Sequence, residues 1–417
     1  MDVHSTLRSE AAVNITHFVE SLDRGGLERV VIDLVRAQRD AGYRCQVVCL
    51  FEAGALAPEL VELGIPVLSC GKRRGLDLRA ILRARQCLRR HGTQILHTHN
   101  AISHYYAVLA SRGLPLHRVV NTRHGMGATR AAAQRSSRGR SWRDDRLEWL
   151  YGKSMAFTHA IATVCETARR EFQQRADLPA QKILAVPNGI HVDRFAPASA
   201  DERQRLRETL GVPEGTRLAG FVGRLTWAKD HATLIRAFGL VRERCPDAAL
   251  VLIGDGPLRG ELEALARAEG VAERVFFLGD RNDIHALLRG LDLFVMSSVT
   301  EGYSVALLEA CASALPIVAT NVGGNAEIVR DGANGTLVGA GDPAALAAAM
   351  TGLLANDARA RAMGRAGRDW VLRHGSFRTM AQRYSEIYGY DPGESQANAP
   401  HAPACPAGIP RTDDRVT

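Results

Sequence analysis

The chain has 417 residues, 46% hydrophobic and 24% charged, which excludes a disordered polar chain and leaves room for two cores of roughly 100 to 200 residues each. No apolar run approaches the roughly 20 residues that span a bilayer, and Met1 to Ala12 lacks the apolar core of a secretory leader, so a cytoplasmic protein is expected. The net charge of +8 is uneven, with 28 Lys and Arg against 17 Asp and Glu in residues 1–190 and 25 against 28 in the rest, so an anionic partner is expected for the first half.

Strand-like runs recur at Val13–Val19, Cys45–Phe51, Val67–Ser69, Gln94–His97, Arg118–Thr122, Ala160–Val164 and Ile183–Val186, with helical patterns between them. Such alternation predicts a parallel sheet covered by helices, with ligands beyond the carboxyl ends of the strands. The first strand leads through Gly25-Gly26 into a helical pattern at Leu27–Ala41. Adjacent glycines let backbone approach a ligand, but no Gly-x-Gly-x-x-Gly follows, which counts against a nicotinamide dehydrogenase. His99 and His124 each follow a strand, so topology aims both at one crevice.

Between Ala128 and Arg146 the arginines 130, 135, 138, 140, 143 and 146 are spaced by small residues, with Trp142 and Trp149 nearby. This reads as a basic loop reaching an acceptor or membrane headgroups. The helix Leu78–Arg90 adds Arg79, Arg83, Arg85, Arg89 and Arg90, although a charge run is ordinarily a solvated face. The eight cysteines are scattered without Cys-x-x-Cys spacing and read as small buried hydrophobes.

Val186-Pro187-Asn188-Gly189-Ile190 punctuates the chain, and a second alternating set begins. Its strands fall at Leu218–Val222, Ala249–Ile253, Val275–Leu278, Leu291–Met296, Ile317–Ala319 and Thr336–Val338. The expected organisation is an α/β pair of Rossmann-like, doubly wound domains, residues 1–190 and 191–375, facing an interdomain cleft. A helix at 376–390 should pack back toward the first domain, ahead of a disordered Pro- and Ala-rich tail at 391–417.

The most informative stretch is Ser297–Glu309, where a buried strand feeds a helix through a tight loop at Gly302. The first N–H groups of that helix, near Ser304 and Val305, lack chain partners and suit an anion or a sugar hydroxyl. Glu301 in the loop and Glu309 about two turns into the helix can face one side. Taken alone, two such Glu are more often a loop residue and a solvated helix residue. Gly223-Arg224 and Lys229 follow the first strand of the second set, and two cations beside a helix N-terminus suit a pyrophosphate leaving group. Gly254-Asp255-Gly256-Pro257 turns the backbone beside them. No Asp-x-Asp pair occurs and no His cluster has metal spacing, so no cofactor and no metal are expected.

Gly25-Gly26-x-Glu28, His99, His124, Pro187-Asn188-Gly189, Gly223-Arg224 with Lys229, Gly254–Pro257, Gly279–Ile284, Glu301-x7-Glu309 and Gly323-Gly324 together resemble the retaining GT-B glycosyltransferases of family 4. The likeness runs from residue 13 to about 385 in the family's order and spacing. It implies a UDP- or GDP-sugar donor held mainly by the second domain and a glycan or lipid-linked acceptor held mainly by the first. By the same likeness Arg224 and Lys229 bind the diphosphate, Glu309 the ribose and Glu301 the sugar hydroxyls. The backbone of Gly302, Tyr303, Ser304 and Val305 meets sugar and phosphate, Asn282 and Ile284 lie along the base, and Gly26 approaches the phosphate from the opposite domain. His124 and His99 line the reacting centre. The implied role is hexosyl transfer in cell-surface polysaccharide synthesis, by a protein that can lie on the inner membrane face.

Tyr303-Ser304 departs from the family's usual small residue and Pro, and the 128–146 insertion carries no family motif. A sugar-nucleotide epimerase of the same architecture and a non-catalytic subunit of a glycan assembly complex are the competing readings. Nucleic-acid binding has no motif to support it.

Overall fold

The computed structural model describes residues 12–23, 25–125, 142–175 and 178–389. Most of the basic segment 128–146 and all of the 391–417 tail lie outside them. Two all-parallel sheets organise the chain. The first contains β1 (Asn14–Val19), β2 (Arg44–Cys49), β3 (Val67–Ser69), β4 (Ile95–His99), β5 (Arg118–Arg123), β6 (Ala160–Thr163) and β7 (Ile183–Ala185), in the order β3-β2-β1-β4-β5-β6-β7. The second contains β8 (Arg217–Val222), β9 (Ala248–Ile253), β10 (Val275–Gly279), β11 (Leu293–Met296), β12 (Ile317–Thr320) and β13 (Thr336–Val338), in the order β10-β9-β8-β11-β12-β13.

In each sheet the strand order reverses beside the first strand, β1 and β8. A crevice therefore opens at the carboxyl ends of β1 and β4, and another at those of β8 and β11. The sequence explains the strands directly. Strands covered on both faces become continuous apolar runs, and Ala248–Ile253 and Leu293–Met296 are buried at every position. One core fills the second sheet with Phe221, Phe238, Leu250, Phe294, Leu307 and Ile317 among its members. The first sheet is covered on one face by the helix Gly26–Asp40, whose Val31, Ile32, Leu34 and Val35 are buried.

The helix Phe377–Tyr388 returns to that first face. Phe377, Met380, Tyr384 and Tyr388 join the same buried cluster as Ile15 and Val47. Ile190 and Ser376 pair where the chain crosses out and back. Glu327 spans the two halves: its carboxylate accepts from the Glu166 and Thr167 N–H groups at 2.9 and 2.8 Å, occupying donors at the start of the helix Glu166–Gln173.

Candidate active site

The carboxyl ends of the two sheets enclose a cleft of about 850 Å³. From the second sheet it is lined by Gly223, Arg224, Lys229, Asn282, Ile284, Glu301, Gly302, Tyr303, Ser304, Val305 and Glu309, and from the first by Gly26 and His124. Every sequence-predicted site residue except His99 therefore meets one cavity.

Glycine lets the strand ends crowd together here. Gly254 has φ 134°, and a Cβ on it would drive into the Gly223 carbonyl. Arg224 follows Gly223 directly and is exposed. Lys229 ends a short turn before Asp230, which takes the left-handed conformation (φ 45°) and caps the helix His231–Arg244 by accepting from the Thr233 N–H at 3.2 Å. The Lys229 ammonium donates to Glu301 at 2.5 Å, and the Ser298 hydroxyl donates to the same carboxylate oxygen at 2.6 Å. Glu301 is nearly buried, so this pair is held firmly and oriented across the cleft floor.

Ser304 caps the helix Val305–Ala312 by accepting from the Leu307 N–H at 3.4 Å. The N–H groups of Val305 and Ala306 precede the helix's internal bonds and remain available to an anion. A Cβ on Gly26 would stand 3.9 Å from the Val305 side chain, so the amino ends of helices from opposite sheets converge there. Gly302 lies against the His124 carbonyl with no room for a Cβ. Tyr303 is buried and packs in the second core, while its carbonyl accepts from the Asn188 side chain at 3.1 Å.

Glu309 sits on the cleft wall. Burial pushes its carboxyl up to about 7; Arg194 opposes the shift, the Asp33 charge adds to it, and Arg29 opposes it. Asp33 is itself raised by burial, against the pull of His191 and several arginines. Arg29 grips Glu59 through two bonds of 2.8 Å, and Arg36 donates to Glu59 at 2.8 Å. Arg29, Asp33, Arg36, Glu59, His191 and Arg194 line the cleft without having been singled out from sequence. The available signal was the spacing of Arg29, Asp33 and Arg36 at i, i+4 and i+7 on one helix, which reads equally well as a solvated face.

His99 departs from expectation. It is 2% exposed and does not line the cleft; it lies behind His124, with His99 Nδ1 and His124 Nε2 at 2.9 Å. Its strand carries it into the sheet interior, and only the ring after β5 reaches the cavity. Burial, reinforced by the Arg123 charge, lowers the His124 pKa to about 3, so that ring is neutral.

The family model described as Glycosyltransferase Family 4 matches residues 24–194, and the model for Glycosyl transferases group 1 matches residues 202–370. EpsD of Bacillus subtilis (strain 168), a protein assigned to glycosyl transfer, is 32% identical over 312 residues, 72% of this chain and 78% of that one. The chain is a family 4 glycosyltransferase. A GDP-mannose-dependent alpha-(1-6)-phosphatidylinositol monomannoside mannosyltransferase of Mycolicibacterium smegmatis is 37% identical over 218 residues, half of this chain and 56% of that one. Anabaena HepE, solved in complex with UDP-glucose, superposes on the glycosyltransferase with a TM-score of 0.78 at 22% identity. That match covers 89% of this chain and 98% of HepE, and the fold is GT-B. No helix among the described residues is long and apolar enough to cross a membrane.

Proposed function

We propose that the cleft binds a UDP- or GDP-sugar and transfers its hexosyl unit, with retention at the anomeric carbon, to a glycan or lipid-linked glycan in cell-surface polysaccharide synthesis. The observation that carries this reading is that Arg224, Lys229, Glu301 and Glu309 line one cavity beside the amino ends of two helices. UDP-glucose bound to HepE, which shares the fold, and the GDP-mannose dependence of the mannosyltransferase relative support a nucleotide-sugar donor.

In this reading Arg224 and the Val305 and Ala306 N–H groups hold the diphosphate, and Arg224 and Lys229 neutralise the charge that grows on it as the glycosidic bond breaks, without a metal ion. Glu309 accepts from the ribose hydroxyls, Asn282 and Ile284 flank the base, and Glu301, already fixed by Lys229 and Ser298, orients the sugar. Gly26 brings backbone against the phosphate. The acceptor oxygen attacks from the face that the phosphate leaves, and the departing phosphate oxygen takes the acceptor's proton, so no enzyme carboxylate forms a bond to carbon. His124 lines the reacting centre.

The acceptor side suits a membrane surface. On the helix Leu78–His91, Leu78 and Leu82 are 66% and 65% exposed among Arg79 and Arg83, the mixture that an anionic bilayer receives. In this reading the enzyme works in the cytoplasm, on the inner membrane face.

Thermal stabilisation by a panel of UDP- and GDP-sugars tests the donor. A sugar nucleotide at 100 times its Kd adds about 2.7 kcal/mol to the native state, a shift that Glu309→Ala and Lys229→Ala should abolish. No shift with any donor, or an undiminished shift in both variants, refutes the reading.

A further inference from the structure

Behind His124 the first sheet carries buried polar side chains that sugar-nucleotide binding does not use. His17 lies in β1, His97 and His99 in β4, and Thr122 in β5, all at most 2% exposed. A parallel sheet covered on both faces ordinarily places aliphatic residues at such positions, so each polar atom here needs a partner.

The partners form a line. From the cleft inward, His124 Nε2 meets His99 Nδ1 at 2.9 Å, His99 Nε2 meets His17 Nδ1 at 3.1 Å, and His17 Nε2 meets Gln38 Oε1 at 2.7 Å. Gln38 Nε2 donates to the Tyr388 hydroxyl at 3.0 Å, and that hydroxyl meets His97 Nδ1 at 2.7 Å. Gln38 thus sits with its carbonyl toward the histidines and its amide toward the C-terminal helix.

This orientation gives the line a direction. A carbonyl oxygen only accepts, so His17 carries its hydrogen on Nε2. Burial lowers the pKa of His17 to about 4, of His99 well below the ordinary value and of His124 to about 3, so each ring is neutral and carries one hydrogen. His17 Nδ1 then accepts from His99 Nε2–H, and His99 Nδ1 accepts from His124 Nε2–H. The last free position is His124 Nδ1, a buried atom with no hydrogen-bond partner among the described residues. The opposite direction would leave an N–H unpaired there, and an orphaned buried N–H is rarer than an under-used acceptor.

We propose that Gln38, His17 and His99 are positioning residues that hold His124, a residue of the cleft wall, as its Nε2–H tautomer, so that its Nδ1 is an acceptor and never a donor. That His124 serves the reacting centre rests on the function proposed above; the tautomer does not. His17, His97 and His99 also place possible ligand atoms within 4.8 Å of one another, but every ring nitrogen of the three is already hydrogen-bonded, His97 to Tyr388 and to Thr122 at 2.7 Å each. A metal there would break the line.

The test is ring-nitrogen NMR of the full chain labelled with ¹⁵N-histidine, with His124 assigned by its loss in His124→Asn. The expected spectrum of the unliganded protein shows His124 with hydrogen on Nε2 and a bare Nδ1, unchanged from pH 8 to 6. Hydrogen on Nδ1 overturns the proposal, as does stoichiometric zinc in the purified protein. Gln38→Met removes the fixed acceptor; the expected result is a mixture of His124 tautomers and about a tenfold fall in kcat, with the donor KM changed by less than about twofold. Gln38→Glu, which again accepts from His17, should restore both. An unchanged tautomer in Gln38→Met overturns the role of Gln38. If no sugar nucleotide is turned over at all, the proposed function falls while the NMR result still decides the relay.

Discussion

The carboxyl of Glu309 makes donor binding depend on pH in a calculable way. With its pKa raised by burial to about 7, about nine-tenths of the group is ionised at pH 8 and about one-tenth at pH 6. A ribose that donates to the carboxylate selects the ionised form, so donor affinity should fall about tenfold from pH 8 to pH 6. Stability runs the other way. A folded-state pKa above the unfolded one favours the protonated group in the native protein. That contribution is therefore complete below about pH 4.5 and lost as pH rises through about 7, an effect on the order of 1–3 kcal/mol for a side chain that the cleft partly reaches. Glu309→Gln should flatten both profiles between pH 6 and 8 and weaken binding at pH 8 by roughly 2 kcal/mol, the worth of a hydrogen bond to a charged group. Titration calorimetry at pH 6, 7 and 8, in two buffers of different ionisation enthalpy, measures both the affinity and the proton released on binding. A wild-type affinity that is flat over this range, or a slope that persists in Glu309→Gln, refutes the reasoning.

The Asp33 charge helps to raise Glu309, so Asp33→Asn should move the midpoint of the affinity profile to lower pH in the same titration. Lys229→Met leaves the nearly buried Glu301 carboxylate, among the described residues, with its Ser298 bond alone; unfolding in urea should show a loss of about 3 kcal/mol, and a loss below about 0.5 would mean the pair is not held as described. Gly302→Ala forces a methyl against the His124 carbonyl and the Val164 side chain and should cost about 1–3 kcal/mol of stability by the same measurement. Gly26→Ala meets only Val305, at 3.9 Å, so stability should stay within about 0.5 kcal/mol while donor affinity drops at least tenfold; unchanged affinity would show that no phosphate lies against Gly26.

The strands of the second sheet were legible because parallel strands covered on both faces are ordinarily continuous apolar runs, as Leu293–Met296 is. Glu301 and Glu309 were legible for a different reason. Their loop follows a strand and opens a helix, and topology alone directs that junction to the crevice. The first-sheet wall was harder to read. Arg29, Asp33 and Arg36 become cleft residues only because the opposite sheet closes over that helix face, a tertiary fact without a local signature.

His99 shows where the strand-end argument reaches its limit. His99 and His124 both end strands of one sheet, yet His99 is buried while His124 reaches the cleft. Topology fixes the end of the sheet a residue occupies, whereas the covering layer decides whether its ring meets a ligand or another side chain. The histidines at 17 and 97 carried the missing information. Polar rings inside strands that should be aliphatic require buried partners, and a third ring in the same alternating register, His99 two residues after His97, is most economically satisfied by them. A histidine at a strand end should therefore be weighed together with the polar residues inside its own and the neighbouring strands: where those are present, the ring belongs first to the sheet.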